Sequence, residues 1–410
     1  QSGLLAMALR HHQPEARVAL IERESVLAGN HTWSFHPGDV PESCRAWTEP
    51  LIQHRWPGYE VYIGGFHRRV QLSYASISSD HFARVVGDLF QPQRAELESL
   101  SVGRELSMLQ AEGSTAGGQT ASVMPGNELQ CQLMTGTDVA EIEGDQVVTT
   151  CGQQVQGRLV IDCRGPAATS NRFAGCGYQK FFGFEMEFES AWPFESPVLM
   201  QSVVDQSDGF RFLYALPFGP RRVLIEDTRF SDTPDCSRDQ CLDLVCDYVS
   251  RQGVGRFTVR REESGVLPMP FTSEMLPDAS SPLSGGYAGG WFHAATGYSF
   301  PMAVAFADAV ASGPLEQAVD RVAALSDQHR WRSKYARLLN RLLFRLVAPS
   351  ERHQIFRRFY GVLNDQAIER FYSHRFTVRD ARQIVVGVPP TLRGLRPLQF
   401  IQSYLNGENQ

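Results

Sequence analysis

Ser2-Gly3-Leu4-Leu5-Ala6-Met7-Ala8-Leu9-Arg10, then Pro14, then Arg17-Val18-Ala19-Leu20-Ile21-Glu22-Arg23: this stretch decides the fold class. Leu5, Ala8 and Leu9 fall at helical spacing, Pro14 punctuates, and the following apolar run ends in an acid. The order is helix, turn, strand, carboxylate at the strand's carboxyl end. In dinucleotide-binding folds such an acid lies about 20 residues past the glycine loop and accepts the ribose hydroxyls. Glu22 follows Gly3 by 19 positions. The chain therefore reads as a nucleotide-binding βαβ unit entered at its last glycine, lacking the opening strand and the first glycines. A surface helix before an unrelated strand has the same local pattern, so the later segments must choose.

Length and charge narrow the choice. At 410 residues the chain exceeds what one core usually serves, so more than one lobe is expected. Hydrophobic content of 42% with 20% charged residues belongs to a folded chain, not a disordered one. A net charge of −6 argues against general nucleic-acid binding. That charge is unevenly placed. Residues 321–400 carry 16 Lys/Arg against 5 Asp/Glu, a balance of +11 that leaves −17 on the rest. A basic segment on an acidic body suits a membrane lipid surface, although a solvated helical face gives the same count. Eight cysteines form no C-x-x-C pair and no metal-ligand spacing, and read as reduced structural thiols of a cytoplasmic protein. No signal peptide or apolar run of membrane-spanning length is present, so the expected placement is peripheral, on the inner face of the cell membrane.

Further along, Arg55 to Ile77 alternates as strands broken at Gly64-Gly65. Ser79-Asp80 is a cap for a helix carrying Phe82, Val85, Val86, Leu89 and Phe90. Gly113 to Gly126 is Gly/Ser/Thr-rich and reads as a surface insertion. Gln146 to Cys163 reads as a hairpin and then a strand, Arg158-Leu159-Val160-Ile161-Asp162, stopping at Arg164-Gly165-Pro166. An apolar strand ending in acid-x-Arg-Gly belongs at the carboxyl edge of a parallel sheet, where cofactors sit. The texture then changes. Phe181–Phe188, Val198–Val204, Phe210–Leu216 and Arg222–Phe230 alternate as strands of an antiparallel sheet, and Thr233-Pro234 caps a helix reaching about Arg251. Gly285-Gly286-Tyr287-Ala288-Gly289-Gly290 then approaches a helix over Met302–Val310, an arrangement suited to a phosphate or ring at a helix amino terminus. Leu338, Leu339, Leu342, Leu343 and Leu346 form one face of a late helix flanked by Lys334, Arg337, Arg341 and Arg345. That stripe covers the core or meets a membrane interface.

On the strand Leu224-Ile225-Glu226-Asp227-Thr228-Arg229, alternation sends Glu226 and Asp227 to opposite faces. Residue pattern alone does not say which acid faces a site.

Three stretches taken together carry a family likeness: Gly29-Asn30-His31-Thr32-Trp33-Ser34-Phe35-His36, Leu224 to Arg229, and Phe292-His293-Ala294-Ala295-Thr296-Gly297-Tyr298-Ser299. Their neighbours His54-Arg55-Trp56-Pro57-Gly58-Tyr59-Glu60, Val160 to Gly165, Arg261-Glu262-Glu263 and Arg357-Arg358-Phe359-Tyr360-Gly361 extend it over nearly the whole chain. In this order and spacing the chain resembles the bacterial lycopene β-cyclases, FAD-dependent enzymes of carotenoid biosynthesis. The resemblance implies an α/β fold: an FAD-binding Rossmann-like β-α-β domain with a parallel sheet (1–53, 80–177 and 280–312), an antiparallel-sheet substrate domain (54–79 and 178–279) and a helical C-terminal region (313–410). It implies an isomerase-type reaction that closes the ends of lycopene and other linear carotenoids into β-ionone rings, giving γ-carotene and β-carotene without net redox change.

The same resemblance implies reduced FAD as cofactor, with NADPH as its electron source. It favours Glu226 as the acid, with Asp227 beside it and His293 or His31 as further proton-handling groups. Cofactor contacts carried over are Gly3 at the pyrophosphate helix, Glu22 and Arg23 at the ribose, and Gly29, Asn30 and His31 near the ring. Asp162, Arg164, Gly286, Thr296, Gly297 and Tyr298 close the far side. A flavin-dependent monooxygenase of the same architecture is the alternative, and a flavin-binding remnant without its glycine loop is another.

Overall fold

Helix α1 (Ser2–His12) is buried all round from Gly3 to Ala8 and not only along the Leu5, Ala8, Leu9 face, Leu9 being half-buried. It leads into β1 (Val18–Ile21). The computed structural model describes residues 1–90, 131–165, 176–202, 205–271 and 283–385. The Gly113–Gly126 insertion and the chain beyond 385, with the end of the basic segment, lie outside the described residues.

After β1 come β2 (Trp33–Phe35), β3 (His54–Trp56), β4 (Tyr59–Ile63), β5 (Phe66–Val70) and β6 (Tyr74–Ile77), then helix α2 (Ser79–Asp88). Its cap is Ser78, whose hydroxyl accepts from His81 N–H at 3.3 Å, one residue earlier than the Ser79-Asp80 expectation. Then follow β7 (Cys131–Met134), β8 (Val139–Glu143), β9 (Gln146–Thr149), β10 (Gln154–Gln156) and β11 (Ile161–Asp162). The larger strands are β12 (Gly177–Phe188), β13 (Val198–Gln201), β14 (Phe210–Pro217), β15 (Arg222–Ser231) and β16 (Phe257–Met269), with helix α3 (Arg238–Ser250) before β16. Ser237, not Thr233, caps α3, its hydroxyl accepting from Gln240 N–H. The short β17 (Leu283–Ser284) precedes α4 (Phe300–Ala311), α5 (Ala318–Arg341), α6 (Arg352–Val362), α7 (Asp365–Tyr372) and α8 (Val378–Val385).

The parallel part is split. β1 pairs with β7, and β11 with β17, as two separate two-stranded parallel ladders rather than one sheet. Around them α1, α2 and α4 form a core with Leu4, Phe35, Phe82, Phe300 and Phe306. β2, β6 and β3 make a small antiparallel sheet on the same core.

The large sheet runs β16-β12-β15-β14-β13-β4-β5. Its β13–β4 junction is parallel, so the wholly antiparallel expectation is corrected at one pair. Period-two alternation gives it two buried faces. Phe184, Met186, Val223 and Ile225 pack under α3. Phe210, Phe212, Leu224 and Phe230 pack toward the C-terminal helices. The leucine stripe resolves as core: Leu343 and Leu346 are buried, in a π-turn that ends α5. Arg337 is buried as well, not part of a solvated basic flank.

Candidate active site

Four strands of the large sheet place one residue each in a single cross-strand row. Tyr214 on β14 is opposite Glu226 on β15, Glu226 is opposite Gly183 on β12, and Gly183 is opposite Glu263 on β16. Directly opposed residues point the same way, so the row presents a phenol, a carboxyl, a bare backbone and a second carboxyl to one side. That side is a cavity of about 250 Å³ between the sheet, β2 with its preceding loop, and the 296–300 segment. Trp33, Tyr59, Tyr74, Phe181, Phe212 and Tyr372 are among its walls, and Glu226 and Glu263 are its only acids among the described residues.

The two carboxyls are held differently. Glu226 accepts from the Thr228 hydroxyl on its own strand. Burial pushes its pKa up to about 8, and the nearby Glu263 charge adds to that. Glu263 is 2% exposed; it accepts from the Thr32 hydroxyl at 2.7 Å and pairs with Arg261 Nη1 at 2.8 Å. Burial raises it too, against the pull of Arg261. Arg261 itself reaches Glu185 at 3.0 Å, the Asn30 carbonyl at 2.9 Å and the Thr32 hydroxyl at 2.8 Å, tying this end of the row to the 30–32 segment. Above the other end, the Tyr74 and Tyr214 hydroxyls are 2.8 Å apart.

Asp227 points the other way, under α3. It is fully buried, accepting from Arg211 Nε at 2.9 Å and Nη2 at 2.6 Å and from Arg229 Nη2 at 3.0 Å. Despite its burial, the two guanidiniums hold its carboxyl below the usual carboxylate range. The structure does not bring Asp227 to the cavity, and its chemistry there is that of an ion-pair anchor. His293 is also outside it. Its ring packs against Phe371, His374 and Phe376, its Nδ1 accepts from Ala295 N–H, and burial lowers its pKa to about 3.

The expected cofactor positions fall into two groups. His31, Thr296, Gly297 and Tyr298 line the cavity. His31 meets Phe181 edge-on, and Tyr298 donates to Asp39 at 2.7 Å while accepting from His36 N–H at 2.8 Å. Gly297, at φ +69°, leaves room for Gln179, whose Oε1 would stand 2.6 Å from a Cβ. That Gln179 oxygen is buried without a hydrogen-bond partner and faces the cavity. The second group surrounds the carboxyl ends of the parallel ladders. Glu22 follows β1, its backbone N–H on Met134 O at 2.9 Å. Asp162 ends β11 and binds Arg164, which also reaches Val139 O. A Cβ on Gly285 would lie 2.7 Å from Cys163 Sγ and 2.8 Å from Gln1 Cγ, so the turn through Gly286, the end of β11 and the start of α1 converge. Gly3 is a packing glycine: a Cβ there would meet Phe82 at 2.7 Å. Arg23 is exposed and pairs with Glu24. Gly29 and Asn30 lie on the exposed loop leading to His31, Gly29 at φ +61°.

Sequence reasoning missed Glu263 as a site residue, together with Thr32, Arg261 and Gln179. A signal existed. Glu262-Glu263 is a second acid pair on a strand, and by parity one of the two must face inward; Glu262 turns outward to Arg238. Among the described residues no cluster of side chains suits a metal ion.

The lycopene cyclase protein family model matches residues 2–134 and 124–393. The lycopene beta-cyclase of Pantoea ananas is 34% identical over 404 residues, covering 95% of this chain and 92% of that protein. That of Pseudescherichia vulneris is 33% identical over 399 residues, covering 96% and 92%. Among solved structures, a flavin-dependent brominase superposes with a TM-score of 0.55 at 11% identity, covering 99% of this chain and 96% of its own. A geranylgeranyl bacteriochlorophyll reductase-like protein from Thermoplasma acidophilum gives 0.52 at 11% identity, covering 94% and 92%. These two likenesses concern the fold alone.

Proposed function

Because the chain belongs to the lycopene cyclase family, we propose that it closes the linear ends of lycopene and related carotenoids into β-ionone rings. The observation that carries this reading is Glu226, an acid kept protonated by burial and aimed into an aromatic cavity. Protonating an alkene carbon needs a neutral acid in a dry site, and burial supplies both conditions. The Glu226 proton goes to the terminal double bond; the internal double bond attacks the resulting cation; a ring proton then leaves. Lycopene has no polar handle, so apolar burial at ~0.8 kcal/mol per CH₂ provides the binding. The Phe181, Phe212 and Tyr214 rings offer π faces to the passing cation.

The cofactor of this reading is FAD. Its ribose would be held by Glu22, its pyrophosphate by the start of α1, and its ring by the 29–32 and 296–298 segments, with Asp162, Arg164 and Gly286 closing the edge. The unpartnered Gln179 oxygen beside Gly297 fits a polar ring system at the 296–298 segment. Reduced FAD, replenished from NADPH, supplies negative charge that stabilises the developing cation. The substrate is drawn from lipid, and the protein works as a peripheral protein on the inner face of the cell membrane; no helix among the described residues is long and apolar enough to cross one.

Glu226→Gln tests the core of this. Purified, it should keep its fold and bound flavin. In lycopene-accumulating cells it should lose ring formation by about 100-fold or more, the usual weight of a general acid. Near-parental conversion by that variant removes Glu226 from the role, and a parental protein that leaves lycopene uncyclised removes the function.

A further inference from the structure

Ring closure takes one proton in and puts one proton out. An acid assigned to the first step leaves the second unassigned. The cavity narrows the field: apart from tyrosines, its titratable lining residues are Glu226, Glu263, His31 and His36. His36 lies between Asp39 and Tyr59, its two ring nitrogens each 3.3 Å from an oxygen of those residues. His31 stands over Gly265, one cross-strand row along from Glu263 on the same face and edge-on to Phe181, and burial together with the Arg261 charge lowers its pKa, so it holds a proton poorly. Glu263 is different. It lies in the same row as Glu226, and a Cβ placed on the intervening Gly183 would be 2.9 Å from Glu263 Cγ and 3.5 Å from Glu226 Cγ. The two side chains therefore lean together over the glycine, their Cγ atoms no farther apart than the sum of those distances.

We infer that Glu263 is the base that removes the ring proton, and that Glu226 and Glu263 share one proton over the catalytic cycle. This rests on the cyclase reading above. The asymmetry of their partners sets the roles. Arg261 and the Thr32 hydroxyl both support a negative charge on Glu263, whereas Glu226 has a hydroxyl alone and no cation. The shared proton thus rests on Glu226. In the first step the Glu226 O–H bond breaks and a C–H bond forms at the terminal alkene carbon. The internal alkene's electron pair then makes the ring bond. In the last step a ring C–H bond breaks, its electrons become the ring double bond, and the proton goes to a Glu263 oxygen. Transfer from Glu263 back to Glu226 across Gly183 resets the pair. No electron is gained or lost. Between the two steps both carboxylates are ionised, so the cation is opposed by negative charge on one side of the cavity when its own charge is greatest.

The two acids should fail differently, and deuterated water separates them. With reduced FAD and lycopene in vesicles, Glu226→Gln should return lycopene without deuterium. Glu263→Gln should lower β-ring formation about 100-fold, yet still protonate substrate, so deuterium accumulates in recovered lycopene or in ring isomers with a displaced double bond. If Glu263→Gln does not fold, Glu263→Asp carries the test: its carboxylate is one methylene short, which slows proton loss more than proton gain, and deuterated lycopene again accumulates. Undeuterated lycopene from the Glu263 variants overturns the assignment, as does β-ring formation at the parental rate. Failure of the parental protein to cyclise lycopene strikes the functional reading instead.

Discussion

Glu226 and Asp227 are chain neighbours with opposite surroundings, and a single peptide unit decides between an acid facing the cavity and a buried, ion-paired anion. Asp227 is bound by Arg211 and Arg229, which lie on its side of the sheet. Removing its charge takes the ion-pair partner from Arg211 and one of two from Arg229, which keeps Asp208 at 3.3 Å, and breaking a buried pair costs about 3 to 5 kcal/mol. Asp227→Asn is therefore expected to lower the urea midpoint strongly. The pH signature follows from the direction of the shift. The Asp227 pKa is lower folded than unfolded, so its contribution is complete above the ordinary value of 3.8 and drains away as pH falls toward the folded value. The asparagine variant should lose that part of the acid sensitivity. Unchanged stability at neutral pH would show that the pair carries no net weight. At this scale alternation in the sequence separated the two acids but not inside from outside, because the covering helix α3 is a long-range fact. Glu263 was hidden for the same reason: its partner Glu226 is distant in sequence and is brought close by two strand pairings that no local pattern records.

Among the elements, β12 holds the site together, since it pairs with β15 on one side and β16 on the other. Gly183 is its point of close approach between the two acids. An alanine there would need Glu263 Cγ to retreat from 2.9 Å, with Leu224 Cδ1 at 3.3 Å closing the other side. Gly183→Ala is expected to keep the sheet, because the strand dihedrals suit any residue, and to push the two carboxyls apart. Ring formation should fall tenfold or more while the unfolding free energy drops by about 1 to 3 kcal/mol, the usual range for overpacking; pigment chromatography and urea denaturation read the two effects. Parental ring formation would mean the spacing of the pair does not matter. The strands over 59–77, 181–188, 210–217 and 222–231 and helices α1, α2, α3 and α4 were legible from their apolar spacing, whereas β16, which carries Glu263, was not read as a strand because its Arg260-Arg261-Glu262-Glu263 run puts charge on both faces. The start of α3 was not legible either: Thr233-Pro234 has the chemistry of a cap, but the Thr233 hydroxyl accepts from Lys180 on β12 and its N–H donates to Ser231 at the end of β15, leaving Ser237 to cap. The order of strands in the large sheet, with its parallel β13–β4 junction, depends on pairing across more than a hundred residues and leaves no mark on either strand alone.

For the whole molecule the unequal charge is the feature that outlasts the details of the site. The +11 balance of residues 321–400 remains a property of the chain even though Leu343, Leu346 and Arg337 are buried, because the interior takes only part of it. Arg357, Arg375, Arg379 and Arg382 stay exposed on and beside α6 and α8, and the same helices expose Val362, Val378 and Val385. Basic residues interleaved with exposed apolar ones suit an anionic lipid surface, where each Lys or Arg near the headgroups is worth about 1 kcal/mol. On the membrane-associated reading proposed above, the opposing −17 on the rest of the chain would turn the body of the protein away from anionic lipid. A substrate dissolved in hydrocarbon makes such an orientation useful, since lycopene then has no aqueous distance to cross. The expected outcome is co-sedimentation with vesicles rich in anionic lipid, little with neutral vesicles, and release as salt rises and shortens the Debye length to about 3 Å at 1 M. Arg379 and Arg382 changed together to glutamate should weaken vesicle binding and leave the urea midpoint near its parental value, as exposed charges do. Equal binding to neutral and anionic vesicles, insensitive to salt, would locate the attraction in the apolar residues and remove the charge from the account.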